Sequence, residues 1–177
     1  IDNHPNSVFI MRTNVDVKTN SDAKKAAGLS FSRSVFVPKE NGVPLTSMIP
    51  IKPNLTCSST SNKSYTLEYG MGIVTDCEFT EGVINGLKEL GLAGNQFYLR
   101  EVNCPSDFGP RGWTSMAERT GADMRDLSGG VDSIGSNNIV WVETPKGLWY
   151  RRIPYLWPIN AENTWMLNIA KFKTHGM

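Results

Sequence analysis

One helix constrains this chain more than any other segment. Thr75-Asp76-Cys77-Glu78 has the form of a capping box, with Thr75 as N-cap and Glu78 reaching back to its amide. Phe79, Val83, Leu87 and Leu90 then recur at helical spacing, and Ile84 widens the stripe. Gly91 stands where a left-handed C′ glycine belongs. Such a helix must cover an apolar surface. Short apolar runs lie on both sides of it: Ser47-Met48-Ile49-Pro50-Ile51 before, and Gln96-Phe97-Tyr98-Leu99-Arg100-Glu101-Val102 after. Strand, helix and strand in that order imply a right-handed crossover between parallel strands.

The rest of the chain extends the pattern. Ser7 to Arg12 is a first strand candidate, and Ser21-Asp22 offers an N-cap for a helix from Ala23 to Phe36, weakened by Gly28. Pro50 inside its run points to an edge strand or a strand end. A short helix is expected from Trp113 to Thr120, stopped by Gly121, and another strand from Asp123 to Leu127. Ile139 to Glu143 and Leu148 to Ile153 flank Pro145-Lys146-Gly147 as a β-hairpin. Trp165 to Ala170 reads as a final buried strand. The expected fold is a single α/β domain over residues 1–177, three-layered, with a mixed, mainly parallel sheet flanked by helices.

Composition excludes several classes. The 177 residues carry a net charge of +1, which leaves no overall field to hold nucleic acid or an anionic membrane. No apolar stretch approaches the roughly 18 residues of a membrane-spanning helix. Modest charge and abundant Asn and Ser lean toward an exported, periplasmic protein. Three cysteines, Cys57, Cys77 and Cys104, leave free thiols, one disulfide with a free thiol, or a three-thiolate metal site open. No ferredoxin-type iron–sulfur motif is present, and the sequence names no cofactor.

Four further segments occur in a telling order: Ile51-Lys52-Pro53-Asn54-Leu55; Gly72-Ile73-Val74-Thr75-Asp76 at the start of a helix; Ala117-Glu118-Arg119-Thr120-Gly121; and Asn168-Ile169-Ala170-Lys171-Phe172-Lys173-Thr174-His175. Together they resemble the bacterial and archaeal domain of unknown function family 362, from about Ile49 to Met177. Ala170 and Phe172 depart from that family's usual Pro and Leu but keep the apolar character. The resemblance implies a partial domain, completed by the rest of the same polypeptide or by a second chain, in a family some of whose members append iron–sulfur ferredoxin modules. It names no reaction.

The residues themselves point to a site. In open α/β sheets ligands bind beyond the carboxyl ends of the strands. Lys52 leaves one strand there, stiffened by Pro53, with Asn54 next to orient a ligand or close a turn. Thr75 and Asp76 cap the central helix, whose free amides also form an anion site. Lys171, Lys173 and His175 share one side of the final extended segment, so cationic groups converge there. Glu101, at another strand end, is a candidate metal ligand or base together with His175. The expectation is a ligand- or metal-binding module, redox-associated through the resemblance, that takes a small anionic ligand at this edge. The alternatives are an enzyme using Lys173 and His175 for proton transfer, and a structural subunit of a larger assembly.

Overall fold

A computed structural model describes residues 8–17, 19–36, 44–55, 74–102, 108–109, 111–128 and 135–170. Its elements are α1 (Ser21–Val35), β1 (Ile49–Pro53), α2 (Cys77–Glu89), β2 (Phe97–Glu101), α3 (Trp113–Thr120), β3 (Asp123–Asp126), β4 (Ile139–Glu143), β5 (Arg152–Leu156) and β6 (Leu167–Ile169). The fold is α/β, as the alternating pattern requires. Four strands form one wholly parallel sheet in the order β3-β2-β1-β6, and β4 and β5 pair as a separate antiparallel sheet.

The pleat divides the main sheet into two unlike faces. Register places Ile49 beside Phe97 and Ile51 beside Leu99, and all four are buried with Val83, Ile84 and Leu87 of α2 and Trp113 and Met116 of α3. The alternate positions Pro50, Lys52 and Arg100 turn to the other side, where Leu156, Trp157 and Ile159 lie over them. Tyr98 and Trp157 meet edge to face, 4.9 Å between ring centroids. Helices cover one face, and the chain leaving β5 covers the other.

Several local expectations are corrected. Val8 to Arg12 forms no strand; these residues are irregular and mostly exposed. The N-cap of α1 is Asn20, whose side chain accepts the Ala23 amide, rather than Ser21. Of the two readings of Pro50, the edge strand is excluded, since β1 is interior to the sheet, and Pro50 stands second in the strand, at its beginning. Met48 exchanges backbone bonds with residues 163 and 165, and β6 resumes in the same register at Ile51–Leu167. Pro50 thus falls in the gap, where the strand pair loses one donor. The second hairpin strand begins at Arg152 instead of Leu148, because Thr144 and Arg151 close the loop. β6 is a half-buried edge strand rather than a core strand.

Gly28 is the contact point of α1 with α2, not a flaw in the helix. The buried face of α1 is Lys24, Gly28 and Ser32, spaced four apart. A Cβ on Gly28 would overlap the Phe79 carbonyl, and one on Gly82 would overlap the Lys25 carbonyl. The two helices therefore touch backbone to backbone.

Candidate functional site

The carboxyl ends of β1 and β2 bring two of the expected residues together. Lys52 Nζ donates to Glu101 Oε2 at 2.6 Å and to the Pro53 carbonyl at 2.6 Å. Glu101 is buried, and its Oε2 also accepts the Leu55 amide at 3.1 Å while its Oε1 accepts the Val102 amide at 2.8 Å. This carboxylate ties both strand exits together. With three donors on it, Glu101 anchors the scaffold at this edge. Among the described residues no group of three or more His, Cys, Asp or Glu side chains is arranged to hold a metal ion.

Asn54 and Thr75 also meet, through the backbone. The Asn54 amide donates to Thr75 Oγ1 at 2.8 Å, the Thr75 amide returns a bond to the Asn54 carbonyl at 3.0 Å, and the Thr75 hydroxyl donates to the Ile169 carbonyl at 2.7 Å. Thr75 is therefore not the N-cap. It stitches the exit of β1 to the end of β6, and this consumes the hydroxyl. The cap is Asp76, whose Oδ1 accepts the Phe79 amide at 2.9 Å. Glu78 does not reach back to close a capping box; its carboxylate faces α1. Buried Lys24 bridges Asp76 at 3.0 Å and Glu78 at 2.9 Å. Burial alone would lower the Lys24 ammonium, but its bonds to Glu78 and Asp76 outweigh that and hold it above its ordinary value. At the helix start Asp76 is engaged by Lys24 and by the Phe79 amide.

Lys171, Lys173 and His175 lie outside the described residues, as do Cys57 and Cys104. What is described is their approach: β6 runs parallel to β1 with Lys52 beside Asn168 and Pro53 beside Ile169, ending at the same sheet edge. Cys77 is a buried free thiol. Burial, with Glu78, Asp76 and Glu81 close by, pushes that thiol far above its ordinary range, so it is an inert packing group.

A groove of about 210 Å³ opens beside Lys52 on the face away from the helices. Lys52, Arg100 and Glu101 line it from β1 and β2, Leu156 from the end of β5, Trp157 and Ile159 from the chain after it, and Met166 from the approach to β6. Lys52 reaches it with a side chain 44% exposed. An ammonium has three donors, and only two are spent among the described residues. Arg100, buried in the sheet, donates from Nη2 to Asp123 Oδ2 at 2.7 Å and from Nη1 to the Asp123 and Leu99 carbonyls. Its Nε is buried and has no hydrogen-bond partner among the described residues. Burial pulls the Arg100 guanidinium below its ordinary value against the opposing bond to Asp123.

Sequence reasoning singled out Lys52 and Glu101, which the structure brings together, but not Arg100 or Trp157, which line the same groove. In the sequence Arg100 is only part of the strand run from Gln96 to Val102, and its alternation with Leu99 was the available signal. Trp157 gave none, because its position depends on where the chain goes after β5. No protein-family model, no curated protein and no solved structure matches the chain.

Proposed function

We propose that this protein binds a small ligand with an apolar body and an anionic head, in the groove at the carboxyl edge of β1 and β2. The observation that carries this reading is the presence of two cationic side chains from neighbouring strands, Lys52 and Arg100, beside the Glu101 carboxylate on the wall of one largely apolar groove. Among the described residues the third Nζ proton of Lys52 has no acceptor, on a side chain 44% exposed beside the groove, whereas the Arg100 Nε is enclosed in the protein. Each is also partly neutralised, by Glu101 and by Asp123. The groove therefore favours a ligand whose apolar part supplies most of the affinity and whose charge supplies orientation. The resemblance to domain of unknown function family 362 supports the same edge, since Lys52 and Asn54 belong to the first of its motifs and Lys171, Lys173 and His175 to the last.

The test is a fluorescence titration with 8-anilinonaphthalene-1-sulfonate, against N-phenyl-1-naphthylamine, which has the same ring system without the charge. The sulfonate is expected to bind saturably and more tightly than the neutral amine. Lys52→Met is expected to weaken the sulfonate roughly tenfold, the worth of one charge-assisted hydrogen bond, and to leave the amine unchanged. Equal binding of both probes, or a sulfonate affinity indifferent to Lys52→Met, overturns the reading.

A further inference from the structure

The antiparallel hairpin is mostly exposed. Val140, Trp141 and Val142 of β4 and Ile153 and Tyr155 of β5 are exposed on a sheet of only two strands. At its tip three consecutive residues, Leu148, Trp149 and Tyr150, are 94%, 91% and 75% exposed. Single exposed apolar residues need no explanation, but a contiguous run at a protruding turn does.

The tip is built, not loose. Thr144 and Arg151 close it through the Thr144 amide and the Arg151 carbonyl at 2.7 Å, and the Thr144 hydroxyl donates to the Tyr150 carbonyl at 2.8 Å. Arg151 Nη1 donates to the Pro145 carbonyl at 2.7 Å, and the Gly147 amide to the Thr144 carbonyl at 2.8 Å. Gly147 is required, because a Cβ there would overlap the Tyr150 carbonyl. These bonds fix the turn on both sides of the three exposed side chains.

Charge selects the partner. From residue 139 to residue 156 the hairpin carries Lys146, Arg151 and Arg152 against a single carboxylate, Glu143. Arg152 lies over the Trp141 ring, 4.5 Å from its centroid. The chain's net charge of +1 conceals this local excess. An aliphatic residue at the apex, a Trp and a Tyr behind it, and cations at the base match the layers of a lipid surface: hydrocarbon, interface and anionic headgroups.

We propose that the β4–β5 hairpin is a peripheral membrane anchor, inserting Leu148, Trp149 and Tyr150 at the interface of an anionic bilayer while Lys146, Arg151 and Arg152 meet the headgroups. It is independent of the groove. Binding of this kind is reversible and needs no membrane-spanning helix, and among the described residues no helix is long and apolar enough to cross.

The experiment is co-sedimentation of the full chain with vesicles of phosphatidylcholine containing phosphatidylserine, against vesicles of phosphatidylcholine alone. The wild-type chain is expected to pellet with the anionic vesicles at low salt, and much less with the neutral ones. The double substitution Leu148→Ser and Trp149→Ser, both at exposed positions, is expected to weaken binding at least tenfold with an unchanged circular-dichroism spectrum. Lys146→Gln, which touches no apolar residue, is expected to weaken it about fivefold, the worth of one cation near an anionic surface. No pelleting with anionic vesicles, or pelleting indifferent to the tip substitutions, overturns the proposal. So does a concentration-dependent dimer in sedimentation velocity that the same tip substitutions abolish, because the surface then belongs to a second copy of the chain.

Discussion

Glu81 illustrates how a single buried charge can join three helices. It lies in α2, accepts Arg119 of α3 through Nε at 3.1 Å and Nη2 at 2.7 Å, and pairs with Lys25 of α1 at 3.1 Å. Burial would raise its carboxyl, but the bonds to Arg119 and Lys25 outweigh that and hold it below the ordinary glutamate value. A depressed native value contributes stability that is full above about pH 4.3 and is lost as pH falls through the native value. Glu81→Gln is therefore expected to cost about 1–3 kcal/mol at neutral pH, with half-exposed Arg119 keeping the figure from being larger. The same variant is expected to flatten the acid limb of a urea-denaturation series measured against pH. An unchanged acid limb would remove Glu81 from the account. Thr75→Val should cost about 1–2 kcal/mol in the same assay, since it strands the Asn54 amide and Ile169 carbonyl that the hydroxyl now serves.

At the scale of elements, the sequence disclosed what depends on local periodicity. The stripe of α2, the span of α3 and the Gly91 and Gly121 stops appear as expected, with both glycines at positive φ. What it concealed depends on partners. The face of α1 that packs on α2 is Lys24, Gly28 and Ser32, which has no apolar signature, so its orientation could not be read from hydrophobic spacing. Pro50 looked like an edge marker because nothing local shows that β6 leaves a gap opposite it. The backbone contact between α1 and α2 gives a direct prediction: Gly82→Ala, though favourable by helix propensity, should destabilise the fold by about 2 kcal/mol or more, because the methyl meets the Lys25 carbonyl. Thermal unfolding of the purified variant measures it, and a raised melting temperature would show that the helices are not in contact there.

At the scale of the whole molecule, the parallel sheet separates support from exposure. Its helix side is a closed core around Ile49, Ile51, Phe97 and Leu99, while its other side ends in the groove that Trp157 and Ile159 roof. Of the site, the pairing of Lys52 with Glu101 at adjacent strand ends was legible from the strand assignment. The contribution of Arg100 and Trp157 was not, since it arises from the route of the chain after a separate hairpin. The most direct measurement is a heteronuclear NMR titration with 8-anilinonaphthalene-1-sulfonate, following the Arg100 Nε–H and Trp157 indole N–H resonances. Both are expected to shift together and saturate at one concentration, and Lys52→Met is expected to move that concentration upward. Shifts confined to Trp149 and the hairpin tip, with Arg100 and Trp157 unmoved, would contradict a ligand site at this sheet edge.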